Sequence, residues 1–231
     1  PAAGLENKRF LETDLNRSFS VKTEKNSSTV QMLEHKRAEE IKIVLDQADM
    51  LLDFHQTKKP TKEPFYVFGF HTPSYFLARA LGGAHVFVTR KNKQSFSSLG
   101  LCIDEYTRLS GTPSVTLELS QRGFTEEAHR LTTLSLKRFI EVGKKVFQKT
   151  STLKECAHKN SELSFFVLKH KEPFSHPKKY LHEGFENFSF VKKGEIIGVH
   201  ENNEKILLSS FVNEEVYLKK SINVLKDQII M

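Results

Sequence analysis

Four short runs dense in β-branched and aromatic residues organise the first two thirds of the chain: MLLDF at 50–54, EPFYVFGF at 63–70, AHVFVTR at 84–90 and SVTLELS at 114–120. Each has the length of a buried strand, and helical patterns lie between and around them. From Ser28 to Ala48 the apolar positions Met32, Leu33, Ile41, Val44, Leu45 and Ala48 alternate with Glu and Lys as an amphipathic helix does. A further helix is expected near Pro73 to Leu81. Thr125 to Phe147 opens with Thr-Glu-Glu, as a helix N-terminus should, and carries an apolar stripe through Ala128, Leu131, Leu134, Phe139, Val142 and Val146. Strands alternating with helices in this way predict an α/β sheet.

After Gln148 the texture changes. ELSFFVLKH, FENFSFV, EIIGVH and KILLSSFV read as short strands separated by turns such as Lys193-Gly194 and Asn202-Asn203. The pattern predicts an α/β domain over 1–150 and a smaller β-rich domain over 151–231, with the boundary near residues 150–160. A chain of 231 residues has room for both.

Composition narrows the function classes. The formal charge of +7 comes from Lys and Arg scattered along the whole length. A scattered surplus reads as solvated surface, so neither nucleic acid nor a membrane surface is the expected partner. Two cysteines, Cys102 and Cys156, make neither a disulfide framework nor a metal knuckle, and the expected setting is a reducing, cytoplasmic one. No apolar run approaches the roughly 20 residues that span a bilayer. The chain starts at Pro1 rather than Met, which suggests a segment upstream.

Polar residues concentrate at three places: Arg9 to Arg17, Asp53-Phe54-His55, and Leu117-Glu118-Leu119. In α/β sheets ligands bind at the carboxyl ends of strands, so polar residues there have a reason to be functional. His55 is either a hydrogen-bonded core histidine or a metal ligand whose second nitrogen is held by a carboxylate. Glu118 interrupts an apolar strand: buried, it needs a cation, a metal-bound water or a raised pKa, and on an alternating face it meets solvent. Arg9, Asn16 and Arg17 put two guanidinium groups and an amide within a short span, which suits a carboxylate and equally occurs on plain surface.

Taken together, these segments resemble the succinylglutamate desuccinylase and aspartoacylase family of zinc amidohydrolases. Asp14-Leu15-Asn16-Arg17 matches the family's Asp-Leu-Asn-Arg, with Arg9 upstream. Asp53-Phe54-His55 matches an Asp-aliphatic-His strand end whose histidine is a zinc ligand, Phe54 standing where leucine is usual. Pro113 to Glu118 matches the strand carrying the catalytic glutamate. Phe211-Val212-Asn213-Glu214-Glu215-Val216-Tyr217 is similar to the aspartoacylase branch, where the tyrosine enters the pocket from the second domain. The resemblance implies a carboxypeptidase-like mixed sheet flanked by helices, with a smaller C-terminal β-rich domain. The family's other two zinc ligands lie in a His-Gly-Asn-Glu-type motif upstream of these segments. No H-x-x-E occurs in residues 1–54, and Pro1 and Ala3 line up with a segment that follows that motif.

The implied activity is hydrolysis of the amide of an N-acyl amino acid by one Zn²⁺ per subunit, held in part by His55. Glu118 would serve as general base and acid, and Arg9 would stabilise the oxyanion. Asn16, Arg17 and Arg108 would bind carboxylate groups of the substrate, and Tyr217 would close the pocket. Two arginines imply a dicarboxylic substrate. The implied partner is thus a small molecule, and the resemblance allows a homodimer. Two other readings stand beside this one: a non-catalytic relative that binds an acidic small molecule, and a zinc carboxypeptidase, which Asp-Leu-Asn-Arg and the Tyr217 segment disfavour.

Overall fold

The computed structural model describes residues 8, 10–20, 33–57, 61, 63–90, 100–121, 123–168, 179–182, 188, 191–192, 194–200 and 205–207. Five strands form a mixed sheet in the order β1-β4-β2-β3-β5: β1 (Leu51–Thr57), β2 (Phe65–Val67), β3 (Val86–Arg90), β4 (Ser114–Gln121) and β5 (Ser164–Leu168). β1 runs parallel to β4, and β2, β3 and β5 run parallel to one another, while β4 and β2 meet antiparallel. The expected α/β class, with a mixed sheet flanked by helices, is what forms.

Strand alternation sorts the residues of β1 and β4 onto two faces, because successive side chains point to opposite sides. Leu52, Phe54, Val115, Leu117 and Leu119 enter the main core with Tyr66, Tyr75, Leu77, Phe87, Leu131 and Phe165. Helices α2 (Thr72–Leu81) and α4 (Glu126–Phe147) supply that core, through Tyr75, Leu77 and Leu81 from one and Ala128 and Leu131 from the other. Thr125 caps α4 by accepting from the Ala128 N–H at 3.1 Å, as its sequence position predicts. On the other face, Leu51 packs with Phe19, Ala38, Leu45, Leu101, Ile103 and Tyr106, a smaller core shared with α1 (Leu33–Leu45) and α3 (Ile103–Leu109).

Two of these helices were not expected from periodicity. In α3 the fully buried residues are Asp104, Glu105 and Thr107, while Ile103 and Tyr106 pack only partly against the second core, so seven residues give no clear apolar stripe. Helix α5 (Leu153–His158) is too short for a periodic signal, yet Thr152 and Glu155 form a reciprocal capping box.

One strand of the large sheet lies beyond the expected boundary near residues 150–160. β5 lies beyond residue 160 but pairs in parallel with β3 from Val86↔Ser164 to Arg90↔Leu168, and Phe165 is fully buried in the main core. The large α/β unit therefore runs at least to Leu168. Later strands form a separate three-stranded antiparallel sheet in the order β6-β7-β8: β6 (Lys179–Leu181), β7 (Ile196–His200) and β8 (Lys205–Leu207). Phe188 packs edge-on against Phe65, with centroids 5.2 Å apart. No helix among the described residues is long and apolar enough to cross a membrane.

Candidate active site

His55 and Glu118 are direct neighbours across the β1–β4 ladder. Asp53, two residues earlier on β1, projects on the same face. Immediately beyond, the register slips between His55 and Thr57, and Ser120 takes φ 125°, a left-handed conformation rare outside glycine. β4 therefore bulges just after Glu118, and bulges of this kind re-aim side chains beside binding sites. Beyond the bulge, Gln56 clasps the backbone of Gly123, donating to its carbonyl at 2.8 Å and accepting from its N–H at 3.3 Å.

The imidazole has a charged environment on both sides. Asp53 Oδ2 lies 2.8 Å from Nε2, a close ion-pair contact that is not aligned as a hydrogen bond, and the oxygen is otherwise buried without a donor. Nδ1 faces Glu118 Oε1 at 3.8 Å. Burial pushes the pKa of His55 down, but Asp53, Glu118 and Asp104 outweigh it, and the net shift is upward from 6.5.

Asn16 approaches from a 3₁₀ turn, Leu15–Arg17, capped by the Asp14 side chain. Its Oδ1 accepts from the Ile103 N–H at 3.0 Å, which turns Nδ2 toward His55 Nε2 at 3.2 Å. Asn16 thus ties the ring to the start of α3. The turn is seated on the loop before α3: Phe19 N–H donates to Leu101 O, and Gly100, at φ 146°, abuts the Arg17 carbonyl. Arg17 donates to the Asn16 carbonyl at 2.5 Å and has no ion pair among the described residues.

Arg108 is placed differently. Its Nη1 is 2.5 Å from Asp104 Oδ2 and 3.3 Å from the Ser114 carbonyl, and its guanidinium lies over the Phe68 ring. The side chains of Arg108 and Asp104 are only 10% and 4% exposed, so this cation is already balanced by a buried acid. The expected role in holding a substrate carboxylate meets that competitor. Asp104 itself drew no notice in the sequence; an acid four residues before an arginine was its only local signal. Arg9 and Tyr217 lie outside the described residues.

The donor set fits a metal in part. Nδ1 faces the Glu118 carboxylate at 3.8 Å, an arrangement that a proton or a cation between the two relieves. A catalytic zinc takes three protein donors and a water. Among the described residues no group of three or more His, Cys, Asp or Glu is arranged to hold an ion. The expected ligand, His55, belongs to no such group among them.

The site thus sets an acid–histidine pair beside a glutamate on adjacent strands of a mixed α/β sheet. Sequence comparison is more specific, matching residues 1–142 to the succinylglutamate desuccinylase/aspartoacylase catalytic domain. The chain belongs to that family, whose members are amidohydrolases.

No curated protein matches the sequence. Among solved structures, the fold is similar to succinylglutamate desuccinylase from Vibrio cholerae, with a TM-score of 0.59 and 19% identity over 93% of this chain. It is also similar to a variant of murine aminoacylase 3, with a TM-score of 0.62 and 18% identity over 95% of this chain and 79% of that one. A third is a succinylglutamate desuccinylase/aspartoacylase from Rhodobacter sphaeroides, at 0.57 and 14% over 94% of this chain and 64% of that one. The chain spans 62% of the length of the Vibrio cholerae protein.

Proposed function

We propose that this chain is part of a zinc-dependent hydrolase that cleaves the amide bond of an N-acyl amino acid. The observation that carries the reading is the juxtaposition of His55 and Glu118 on adjacent strands, with Asp53 behind the imidazole. His55 would hold the zinc through Nδ1, together with donors outside the described residues, while Asp53 fixes the ring through Nε2. When bound, zinc supplies a water whose pKa is brought toward about 7 and a Lewis acid for the acyl oxygen.

Glu118 does the proton work. Its carboxylate stands at the strand end beside His55, takes a proton as water attacks the acyl carbon, and returns it to the departing amine nitrogen. Arg17, with no acid partner among the described residues, would grip the substrate carboxylate, and Asn16 would complete that contact. By family resemblance Arg9 would stabilise the oxyanion and Tyr217 would close the pocket.

One observation favours the second reading, a non-catalytic relative that binds an acidic small molecule: the described residues hold no three-donor cluster. Metal analysis and a hydrolysis screen of the full-length protein against N-acyl amino acids separate the two. Stoichiometric zinc with turnover supports the hydrolase. Absence of both, in folded protein that still binds such compounds, supports the binding protein.

A further inference from the structure

We infer that Gln56 is a positioning residue for Glu118: its side chain locks the bulge of β4 that sets the angle and distance at which the Glu118 carboxylate meets the His55 ring. The inference rests on the hydrolase reading above and adds to it the residue that holds the proton-transfer group in place.

The strand register shows where the lock acts. His55 lies opposite Glu118 and Thr57 opposite Gln121, so Gln56 faces two residues of β4, Leu119 and Ser120. Two residues against one make a bulge, which bends its strand and redirects the side chains beside it. Glu118 is the last residue of β4 in register before the bend, so a change in the bend is felt first at its Cα–Cβ bond.

A bulge of this shape does not hold itself. Ser120 carries φ 125°, a strained conformation for a residue with a Cβ, and such strain persists only where the surroundings enforce it. On one side Leu119 is fixed in the main core. On the other, the Gln56 amide grips Gly123 twice, Nε2 donating to the carbonyl at 2.8 Å and Oε1 accepting from the N–H at 3.3 Å. Gly123 is itself at φ 127° with nothing within 4 Å of where a Cβ would stand, so hydrogen bonds rather than packing on that face hold it. The clasp therefore ties the strand that carries His55 to the chain just past Glu118.

Gln56 acts on the site only through the backbone. Its side chain is exposed, and by strand alternation it leaves β1 on the face opposite Asp53 and His55. A shift of about 1 Å in a reacting group can cost about 100-fold in rate, so a backbone clasp of this kind is enough to matter.

The test uses full-length, zinc-loaded protein. Gln56→Met keeps the length of the side chain and removes both hydrogen bonds. It is expected to lower kcat at least about tenfold, with KM and zinc content unchanged, on whichever of N-acetylaspartate, N-succinylglutamate and N-acetyl-leucine the wild type hydrolyses. Gln56→Glu, which keeps the bond from the Gly123 N–H, should fall between the two. A kcat equal to wild type in folded Gln56→Met overturns the inference, because a purely structural clasp would move Tm alone. Crystal structures of full-length wild type and Gln56→Met read the same link without turnover: Ser120 should leave φ 125°, and Glu118 Oε1 should shift relative to His55 Nδ1. Ser120 and Glu118 unmoved in the variant overturn the inference, whereas absent hydrolysis by wild type counts against the hydrolase reading alone. If Gln56→Met fails to fold, Gln56→Glu is judged by the same two measurements.

Discussion

His55 and Glu118 face one another across parallel strands with 3.8 Å between Nδ1 and Oε1. That gap is too wide for a direct hydrogen bond and narrow enough that whatever lies between them interacts with both. If Glu118 moves the proton during hydrolysis, Glu118→Gln in the full-length protein should keep its zinc content and lose between about 100-fold and 10,000-fold in kcat. Metal analysis beside steady-state kinetics checks this, and unchanged turnover would sink the assignment.

Without metal, the proton should occupy the same gap. The folded pKa of His55 is raised above 6.5 by Asp53, Glu118 and Asp104 against the opposing effect of burial. Because the folded value exceeds the unfolded one, the stabilisation is complete below pH 6.5 and is lost as pH rises through the folded pKa. Titration of the His55 ring by NMR in metal-free protein should give a midpoint above 6.5, and Asp53→Asn should lower it. An Asp53→Asn midpoint equal to wild type would remove Asp53 as the cause.

Arg17 is expected to act in binding. Arg17→Met should raise KM for N-acyl amino acids by between about 10-fold and 100-fold, the worth of a charge-assisted hydrogen bond, with a smaller effect on kcat. Kinetics in which kcat falls and KM stays constant would place Arg17 in the chemical step instead.

Gly100 seats the turn that carries Asn16 and Arg17. A Cβ there would fall 2.1 Å from the Arg17 carbonyl oxygen, and φ 146° disfavours any side chain. Gly100→Ala should therefore displace the turn and raise KM, while Gly111→Ala, at a glycine with open space around it, should not. Equal KM values in the two variants would break the link between the loop and the substrate contact.

Away from the site, the Tyr66 hydroxyl donates to the Gly82 carbonyl at 2.7 Å from a fully buried position. Tyr66→Phe leaves that carbonyl without its donor and should cost about 1–2 kcal/mol. At roughly 2–4 °C per kcal/mol for a chain of this size, calorimetry should show a Tm lower by several degrees with activity retained.

How much of this was legible depended on whether a residue's neighbours signal its role. β1, β3, β4, α2 and α4 were readable because apolar spacing repeats within each segment, and Asp53, His55 and Glu118 stood out as polar interruptions of such segments. Helix α3 was not readable, since it buries Asp104, Glu105 and Thr107 where the pattern requires apolar residues. The place of Ser164–Leu168 was not legible for a related reason. A short β-rich run does not say which sheet it joins, and parallel pairing with β3 is a long-range outcome. The Ser120 bulge had no sequence signal at all, because serine is not a residue that asks for φ 125°.

Local chemistry, then, was settled by the sequence alone where the pattern is periodic: the longer helices and the apolar strands, that Asp53 and His55 share a face by strand alternation, and that Asp14-Leu15-Asn16-Arg17 carries a family pattern. Only the tertiary structure decided that His55 stands opposite Glu118, that Asn16 joins the ring to α3, and that Arg108 is spent on Asp104. The physical reason is range. Strand and helix formation follow from interactions within a few residues, whereas register and ion pairing depend on which distant surfaces pack together, and that is set by burying the two cores on either face of the sheet.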